Sequence, residues 1–570
     1  MRLVKLTIGS AIDSPTHQFK NLKNVTIDFD KDHWVTVVIG WNGTGKSNVM
    51  EALAIIFRDL IAKKRTPVFA FQLSYRMGSG DNLYHIQINA DPDREKNAFL
   101  IRVADAQQIK QSELIRSLLE FEDDADAPPL GDPIKLTAFL NADVKYLPRY
   151  IFSYYSGESP RMYEVFRSYL ESYDSKLRKG EEPGLKRLFY AMPVHSHFVL
   201  LAFLIQRSDV VREFLYDHLG LDPDEGIESV LFVLRQPPWK SSASDGDPRF
   251  WNARGVVRDF LSRLYDIALA PIDINRQVST SIWNKKKLQF KYLYVKDIAA
   301  LQRLVGDQAP AQFFRDLEST HVSELIEEVR IRVRLKKNDG GVTFRELSEG
   351  EQQLLTVLGL LRFTAEDESL FLLDEPDTHL NPRWSVDYIS YLKKFIAHGS
   401  RQEETSHVLL TTHNPLAIAE LDKEQVQILT RVDRSNNTVA TQPVFNPRGM
   451  GFAGLLTSDL FQLSSSLDRV TQEALEVDAI LSRRENLTES ETKELDRARK
   501  VLQEGEFRHA FIDPLMEEYS RARSELIESG SKCSKNLSEY PGSPLRRRIA
   551  KKILIKTLGL PQSLGNGDKK

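Results

Sequence analysis

The sequence predicts an α/β fold. It has an α/β core, an appended antiparallel β-subdomain, a large mainly helical insertion and a helical C-terminal region. Three observations predict it. A glycine-rich loop, residues 40–47, sits between an apolar run and a helical pattern. Two later apolar runs, 370–373 and 408–410, end in carboxylates and in a histidine. Between these blocks lie residues 106–325, which read mostly as helices broken by polar loops. The boundaries expected are 1–105 and 326–435 for the two lobes of the core, 106–325 for the insertion and 436–570 for the C-terminal region.

Composition narrows the class. A 570-residue chain with 41% apolar residues has enough for several cores. Net charge is −3, so any anionic partner must be held by local patches. The single cysteine, Cys533, excludes an intrachain disulfide framework and a multi-cysteine zinc site, and suits a reducing compartment. Residues 1–8 alternate like a strand and contain no apolar signal core. The longest apolar run, 198–205, is far short of a membrane span, so the expectation is a cytoplasmic chain with no membrane partner.

In chain order, residues 34–39 read as a buried strand and 48–60 as a helix. The loop between them, Gly40-Trp41-Asn42-Gly43-Thr44-Gly45-Lys46-Ser47, fits the G-x-x-x-x-G-K-[ST] pattern. Glycines let backbone N–H groups approach phosphate oxygens, and the positive end of the following helix points at the same anion. Gly40, Asn42, Gly43, Thr44, Gly45, Lys46, Ser47 and Asn48 are therefore the candidate phosphate cradle. Lys46 can reach the β- and γ-phosphates, and the Ser47 hydroxyl can ligate Mg²⁺. Residues 68–75, 84–90 and 98–103 read as short antiparallel strands. An acidic loop, 120–133, leads to another buried strand at 146–155. Residues 287–296 and 329–335 read as strands, and Asn338-Asp339-Gly340-Gly341 is a hairpin turn signal. Residues 455–530 read as charged helices, with Leu467, Val470, Ala474, Val477 and Leu481 forming one apolar stripe.

Four further elements follow the loop in fixed order. Leu347-Ser348-Glu349-Gly350-Glu351-Gln352-Gln353 opens a helix, where Ser348, Gly350 and Glu351 offer a second phosphate-binding surface. Leu370-Phe371-Leu372-Leu373-Asp374-Glu375-Pro376 is a buried strand with two carboxylates at the edge where open α/β sheets bind ligands. Asp374 is placed to hold the Mg²⁺ shell and Glu375 to polarise the attacking water. Asp377-Thr378-His379-Leu380 follows directly. In Val408-Leu409-Leu410-Thr411-Thr412-His413, a strand ends in His413, which can approach a γ-phosphate.

Together these segments resemble the motif set of ABC-type ATPases: Walker A, signature, Walker B, D-loop and switch histidine. Their form is similar to the RecF, SMC and OLD-like branch more than to transporters. The resemblance implies ATP and Mg²⁺ as cofactors, hydrolysis to ADP and phosphate, and a homodimer or higher homo-oligomer in which two subunits sandwich two ATPs. It makes Lys46, Glu375 and His413 catalytic, Ser47 and Asp374 metal-holding, and Ser348, Gly350, Glu351 and Asp377 part of the nucleotide surface. The family's Q-loop glutamine has no clear counterpart, and Gln72 is the candidate.

Lys46 and Ser348 are 302 positions apart, much farther than in a transporter domain, and no heptad array fills the gap. Tyr154-Tyr155-Ser156-Gly157-Glu158-Ser159-Pro160-Arg161-Met162, Leu188-Phe189-Tyr190-Ala191-Met192-Pro193-Val194-His195-Ser196 and Asn446-Pro447-Arg448-Gly449-Met450-Gly451-Phe452 are similar to segments of Septu-type and retron-associated ATPases of bacterial anti-phage systems. The resemblance implies a sensor or regulatory ATPase with a separate nuclease effector. The insertion reads equally as an oligomer interface. Three basic patches, Arg330/Arg332/Arg334, Lys285/Lys286/Lys287/Lys291 and residues 546–556, offer phosphate contacts for DNA or RNA. No metal-binding nuclease motif accompanies them. A RecF-like DNA-repair ATPase is the alternative, and a transporter subunit the least favoured.

Overall fold

The computed structural model describes residues 1–504 except 31, 120–129, 158, 184–185, 206–207, 223–225, 241–243, 280–284, 335–340, 345–346, 365–367, 397–405, 433–436, 464 and 482–486. Cys533, Glu158, the basic tail and most of the acidic loop lie outside them, as do residues 338–340 of the predicted turn. The chain divides into two compact units, 1–464 and 465–570. No described helix is long and apolar enough to cross a membrane.

The first unit is built on a seven-stranded sheet. Its spatial order is Thr438–Thr441, Val426–Arg431, Val35–Gly40, His407–Thr411, Ser369–Asp374, Tyr150–Tyr155 and Leu188–Tyr190, parallel except at the first pair. Alternate residues feed two cores. Val37, Ile39, Phe371, Leu373, Val408 and Leu410 pack with the helices His195–Ile205 and Glu349–Thr364. Val38, Leu370, Leu372 and Leu409 pack with the helix Lys46–Ile61 and the appended sheet. Burial on both faces explains why these strands are continuous apolar runs rather than alternating ones. Parallel register aligns the strand ends, with Asp374 opposite both Tyr155 and Thr411, and Leu429 opposite Gly40.

The appended sheet is larger than the three strands expected. Its six antiparallel strands run Val25–Asp28, Arg2–Ile8, Phe71–Met77, Tyr84–Ala90, Phe99–Ala104 and Asp132–Ile134. The N-terminal strand belongs here because Leu6 and Ile8 alternate inward against Leu73 and Phe71. The insertion also carries more strand than its helical patterning implies. Tyr150–Tyr155 and Leu188–Tyr190 complete the core sheet, and Ile227–Arg235 is the centre of a five-stranded antiparallel sheet. Its neighbours are Lys285–Val295 and Ile326–Arg334, with Ile272–Ser279 and Gly341–Thr343 at the edges. Arg334 pairs with Gly341, so the hairpin expected at that turn is present.

A buried charge cluster ties the Met192-to-Ser196 segment to the helix Pro310–Val322. The Glu318 carboxylate meets Lys186 Nζ and accepts from His195 Nε2 at 2.7 Å. His195 Nδ1 accepts the Met192 N–H at 2.7 Å, so Nε2 carries the proton. Burial alone would raise the Glu318 carboxyl, but His195 and Lys186 hold it well below the usual range. Glu318→Ala leaves a buried ammonium unpaired and should cost about 3–5 kcal/mol, read as a lower urea midpoint. Replacing Glu318 and Lys186 together by Leu and Met should recover most of that loss.

The second unit contains the helices Arg469–Leu481 and Glu489–Glu504, joined across by Arg499 Nε to Asp478 Oδ1 at 3.0 Å. Of the predicted stripe, Ala474 and Leu481 are buried, whereas Val470 is 60% exposed.

Candidate functional site

The glycine-rich loop turns through left-handed backbone that only glycine adopts cheaply. Gly40, Gly43 and Gly45 have φ of 151°, 83° and 105°. A Cβ on Gly40 would meet Leu429 O at 2.4 Å. Gly45 N-caps the helix Lys46–Ile61, so the first-turn N–H groups face the loop. Thr44 is buried and its hydroxyl donates to Trp41 O at 2.9 Å, while Asn42 and Gly43 are exposed. Lys46 is buried, and its ammonium donates to Gly40 O at 2.8 Å. Burial lowers its pKa, against the opposing pull of Glu375 and Asp374.

Lys46, Asp374, Glu375 and His413 are brought together at the C-terminal ends of three adjacent strands. Glu375 Oε1 lies 4.0 Å from Lys46 Nζ and 3.3 Å from His413 Nδ1. Glu375 itself has φ of 52°, a costly conformation for a residue with a Cβ. It is held there by Thr411, whose carbonyl and hydroxyl accept the Glu375 N–H at 3.0 and 3.2 Å. The left-handed residue follows directly on the strand end at Asp374, and its carboxylate comes within 4.0 Å of Lys46 Nζ.

Asp374 is fully buried, and burial pushes its carboxyl up. Its Oδ1 accepts from Thr411 Oγ1 at 2.5 Å, and the Ser47 hydroxyl also stabilises the charged form. Among the described residues its Oδ2 has no hydrogen-bond partner. A buried carboxylate oxygen left open beside a serine hydroxyl fits a hard divalent cation. Ser47 and Asp374 would hold Mg²⁺, which would supply Lewis-acid neutralisation of phosphate charge.

The other predicted residues are placed differently. Asn48 Nδ2 donates to Asn21 Oδ1 at 2.6 Å, bracing the loop from behind. Asp377 is buried and accepts from Thr412 Oγ1 at 3.0 and 2.9 Å, so it locks the D-T-H turn to the T-T-H strand end. Ser348 and Glu351 form a reciprocal cap: Glu351 Oε2 accepts from Ser348 N at 2.7 Å, and Ser348 Oγ accepts from Glu351 N at 3.3 Å. Ser348 is exposed, and a Cβ on Gly350 would meet His379 O at 2.4 Å. The signature segment thus packs on the D-T-H turn and presents its serine outward. Gln72 is not at the site. It is exposed in the appended sheet opposite Thr7 and Asn89, because its strand pairs there.

Three contributors escaped the sequence reading. Asn21 Nδ2 donates to Gly43 O at 3.2 Å while its Oδ1 holds Asn48. Gln353 donates to Glu375 O at 3.5 Å and accepts from His379 N at 3.3 Å, and its position inside the signature segment was the available signal. Arg161 Nη2 stands 3.6 Å from Asp374 Oδ2. Asn21→Ala removes both loop braces and should weaken nucleotide binding about thirtyfold, at about 1 kcal/mol per net hydrogen bond; titration of Trp41 fluorescence, a side chain 57% exposed on the loop, would read it.

Comparison with known proteins bears directly on this geometry. A family model described as "AAA ATPase domain" matches residues 17–124, and one described as "AAA domain, putative AbiEii toxin, Type IV TA system" matches 223–419. Both models describe ATPase domains, and each covers less than half of the chain. The two matched segments contribute the phosphate loop and the Asp374 and His413 strand ends. The chain is similar to Septu protein PtuA of Bacillus mycoides (strain KBAB4), 28% identical over 129 residues, 21% of this chain and 17% of that protein. It is also similar to the Retron Vc95 probable ATPase of Vibrio cholerae serotype O1 biovar El Tor, 19% identical over 485 residues, 82% of this chain and 81% of that one. The chain therefore spans under a fifth of the first relative and most of the second. Among solved structures, UvrA2 from Deinococcus radiodurans matches 82% of this chain and 59% of its own at 12% identity, with a TM-score of 0.25.

Proposed function

We propose that this ATPase core binds Mg²⁺–ATP and hydrolyses it as the regulatory subunit of an anti-phage defence complex, controlling a separate nuclease effector. The observation that carries the reading is the convergence of Lys46, Glu375 and His413 beside the buried Asp374. In this reading Lys46 binds the β- and γ-phosphates and Glu375 takes a proton from the attacking water. His413, hydrogen-bond distance from Glu375, orients that carboxylate and the γ-phosphate. The outward-facing Ser348 meets the nucleotide of a second copy, so ATP closes a homodimer. Similarity to a Septu protein and a retron ATPase supports the defence setting and the separate effector.

The test is co-expression of the chain with its neighbouring genes. A nuclease should co-purify, and plating efficiency of phage should rise to the undefended level when Lys46 is replaced. A native complex without nuclease, or defence that survives loss of Lys46, overturns the reading.

A second reading, a RecF-like DNA-repair ATPase, draws on the exposed face shared by Arg330, Arg332 and Arg334. Two of these charges are answered locally, Arg330 by Glu328 at 2.8 Å and Arg334 by Glu228 at 3.4 Å. DNA-stimulated ATPase activity in the absence of any effector would favour it.

A further inference from the structure

The insertion reaches the catalytic edge where its first core strand ends. The strand Tyr150–Tyr155 ends in register with Asp374, and the Ser156 N–H donates to Asp374 O at 3.3 Å. Ser156 Oγ lies 3.3 Å from Thr378 Oγ1, so the segment also touches the D-T-H turn. Five residues later the helix Arg161–Arg178 begins, and its first residue turns back to the site. Arg161 Nη2 is 3.6 Å from Asp374 Oδ2, the carboxylate oxygen that makes no hydrogen bond. The guanidinium is steered there by the Tyr155 ring, 5.1 Å below it.

This places two claims on one oxygen. Thr411 occupies one lone pair of Asp374 Oδ1, which leaves Oδ2 the more open oxygen for a cation. A Mg²⁺ ion at that oxygen would sit at about 2.0–2.1 Å with a shell of further oxygen ligands, which would crowd a guanidinium standing 3.6 Å from the same atom. Two positive charges a few ångströms apart in a largely buried setting repel strongly. Metal entry therefore requires Arg161 to withdraw or to swing onto a phosphate oxygen, for which its planar fork is suited. Either movement acts on the start of an eighteen-residue helix. Farther along, Tyr163, Arg167, Asp174 and Arg178 of that helix line a cavity of about 740 Å³ shared with Lys186 and Tyr190. Tyr190 packs edge-on against Tyr163 at 5.9 Å, so the helix and the strand Leu188–Tyr190 respond together.

We propose that Arg161 is a positioning residue that competes with the nucleotide-bound metal for Asp374, and that the helix Arg161–Arg178 carries the state of that site into the insertion. The proposal rests on the Mg²⁺–ATP reading above and names the element through which the switch is read.

The experiment uses the full chain, Arg161→Gln and Arg161→Lys, with Mn²⁺ as the metal probe. Without nucleotide, electron paramagnetic resonance should show Arg161→Gln binding Mn²⁺ about tenfold more tightly than the parent, because the competing charge is gone. Arg161→Lys, which keeps the charge, should stay near the parent value. Hydrogen exchange across residues 161–178 should change on adding a non-hydrolysable ATP analogue with Mg²⁺ in the parent, and should lose that response in Arg161→Gln. Thermal melting checks that the variants fold, and a misfolded Arg161→Gln leaves Arg161→Ser to carry the same two measurements. Equal Mn²⁺ affinity in parent and variant, or an unchanged nucleotide response of the helix, overturns the proposal while leaving the ATP reading intact. A parent chain that binds no nucleotide in a Lys46-dependent way overturns the ATP reading itself.

Discussion

Lys46→Ala is expected to weaken ATP binding at least a hundredfold. Lys46 is 5% exposed, and its ammonium donates to Gly40 O at 2.8 Å, so the charge is held against the glycine loop. Charge-assisted hydrogen bonds are worth about 1.5–3 kcal/mol each, and two lost phosphate contacts account for the hundredfold. The backbone cradle is set by Gly40, Gly43 and Gly45 and does not depend on the lysine, so the variant should fold and melt close to the parent. Trp41 fluorescence titrated with Mg²⁺–ATP gives the affinity directly. Binding at the parent affinity would mean that the loop is not the triphosphate site.

Glu375→Gln should separate binding from turnover. Glutamine keeps the size and the left-handed backbone cost of the residue it replaces, and Lys46 stays in place. What is lost is the base: a positioned general base contributes about 10²–10⁴-fold, so hydrolysis should fall by that factor while ATP affinity holds or tightens. With turnover blocked, the closed form should accumulate, seen as a mass near twice that of the monomer by light scattering with ATP and near one without it. Hydrolysis at the parent rate would remove Glu375 from its role and move attention to His413, whose Nδ1 lies 3.3 Å from the same carboxylate. A monomeric mass with saturating ATP would remove the sandwich while leaving the active site standing.

The site was legible where local chemistry is distinctive. A strand, three glycines, a lysine and a helix have few other uses, and buried parallel strands announce themselves as unbroken apolar runs at 370–373 and 408–410. The relations between distant segments were not legible. Nothing in residues 150–155 says that they lie beside 369–374 rather than in a separate insertion domain, so Arg161 could not be placed next to Asp374 from spacing. Gln72 failed as a site residue for a related reason. Its strand alternates buried and exposed positions, the mark of a sheet open on one side, and that sheet is the appended one. Asp377 shows a third limit: the motif puts it just after the carboxylate strand, but only side-chain geometry shows its carboxylate engaged by Thr412.

The order of the core sheet has a consequence for how the protein comes into being. The strand Val35–Gly40 is flanked by His407–Thr411 and Val426–Arg431, so its neighbours are translated long after it. At about 5–20 residues per second, a ribosome spends tens of seconds with the lysine-bearing loop outside the exit tunnel and neither carboxylate nor histidine yet made. Nascent or prematurely terminated chains that stop short of residue 374 therefore carry the phosphate loop without Asp374, Glu375 or His413 and cannot assemble the convergence seen in the folded chain.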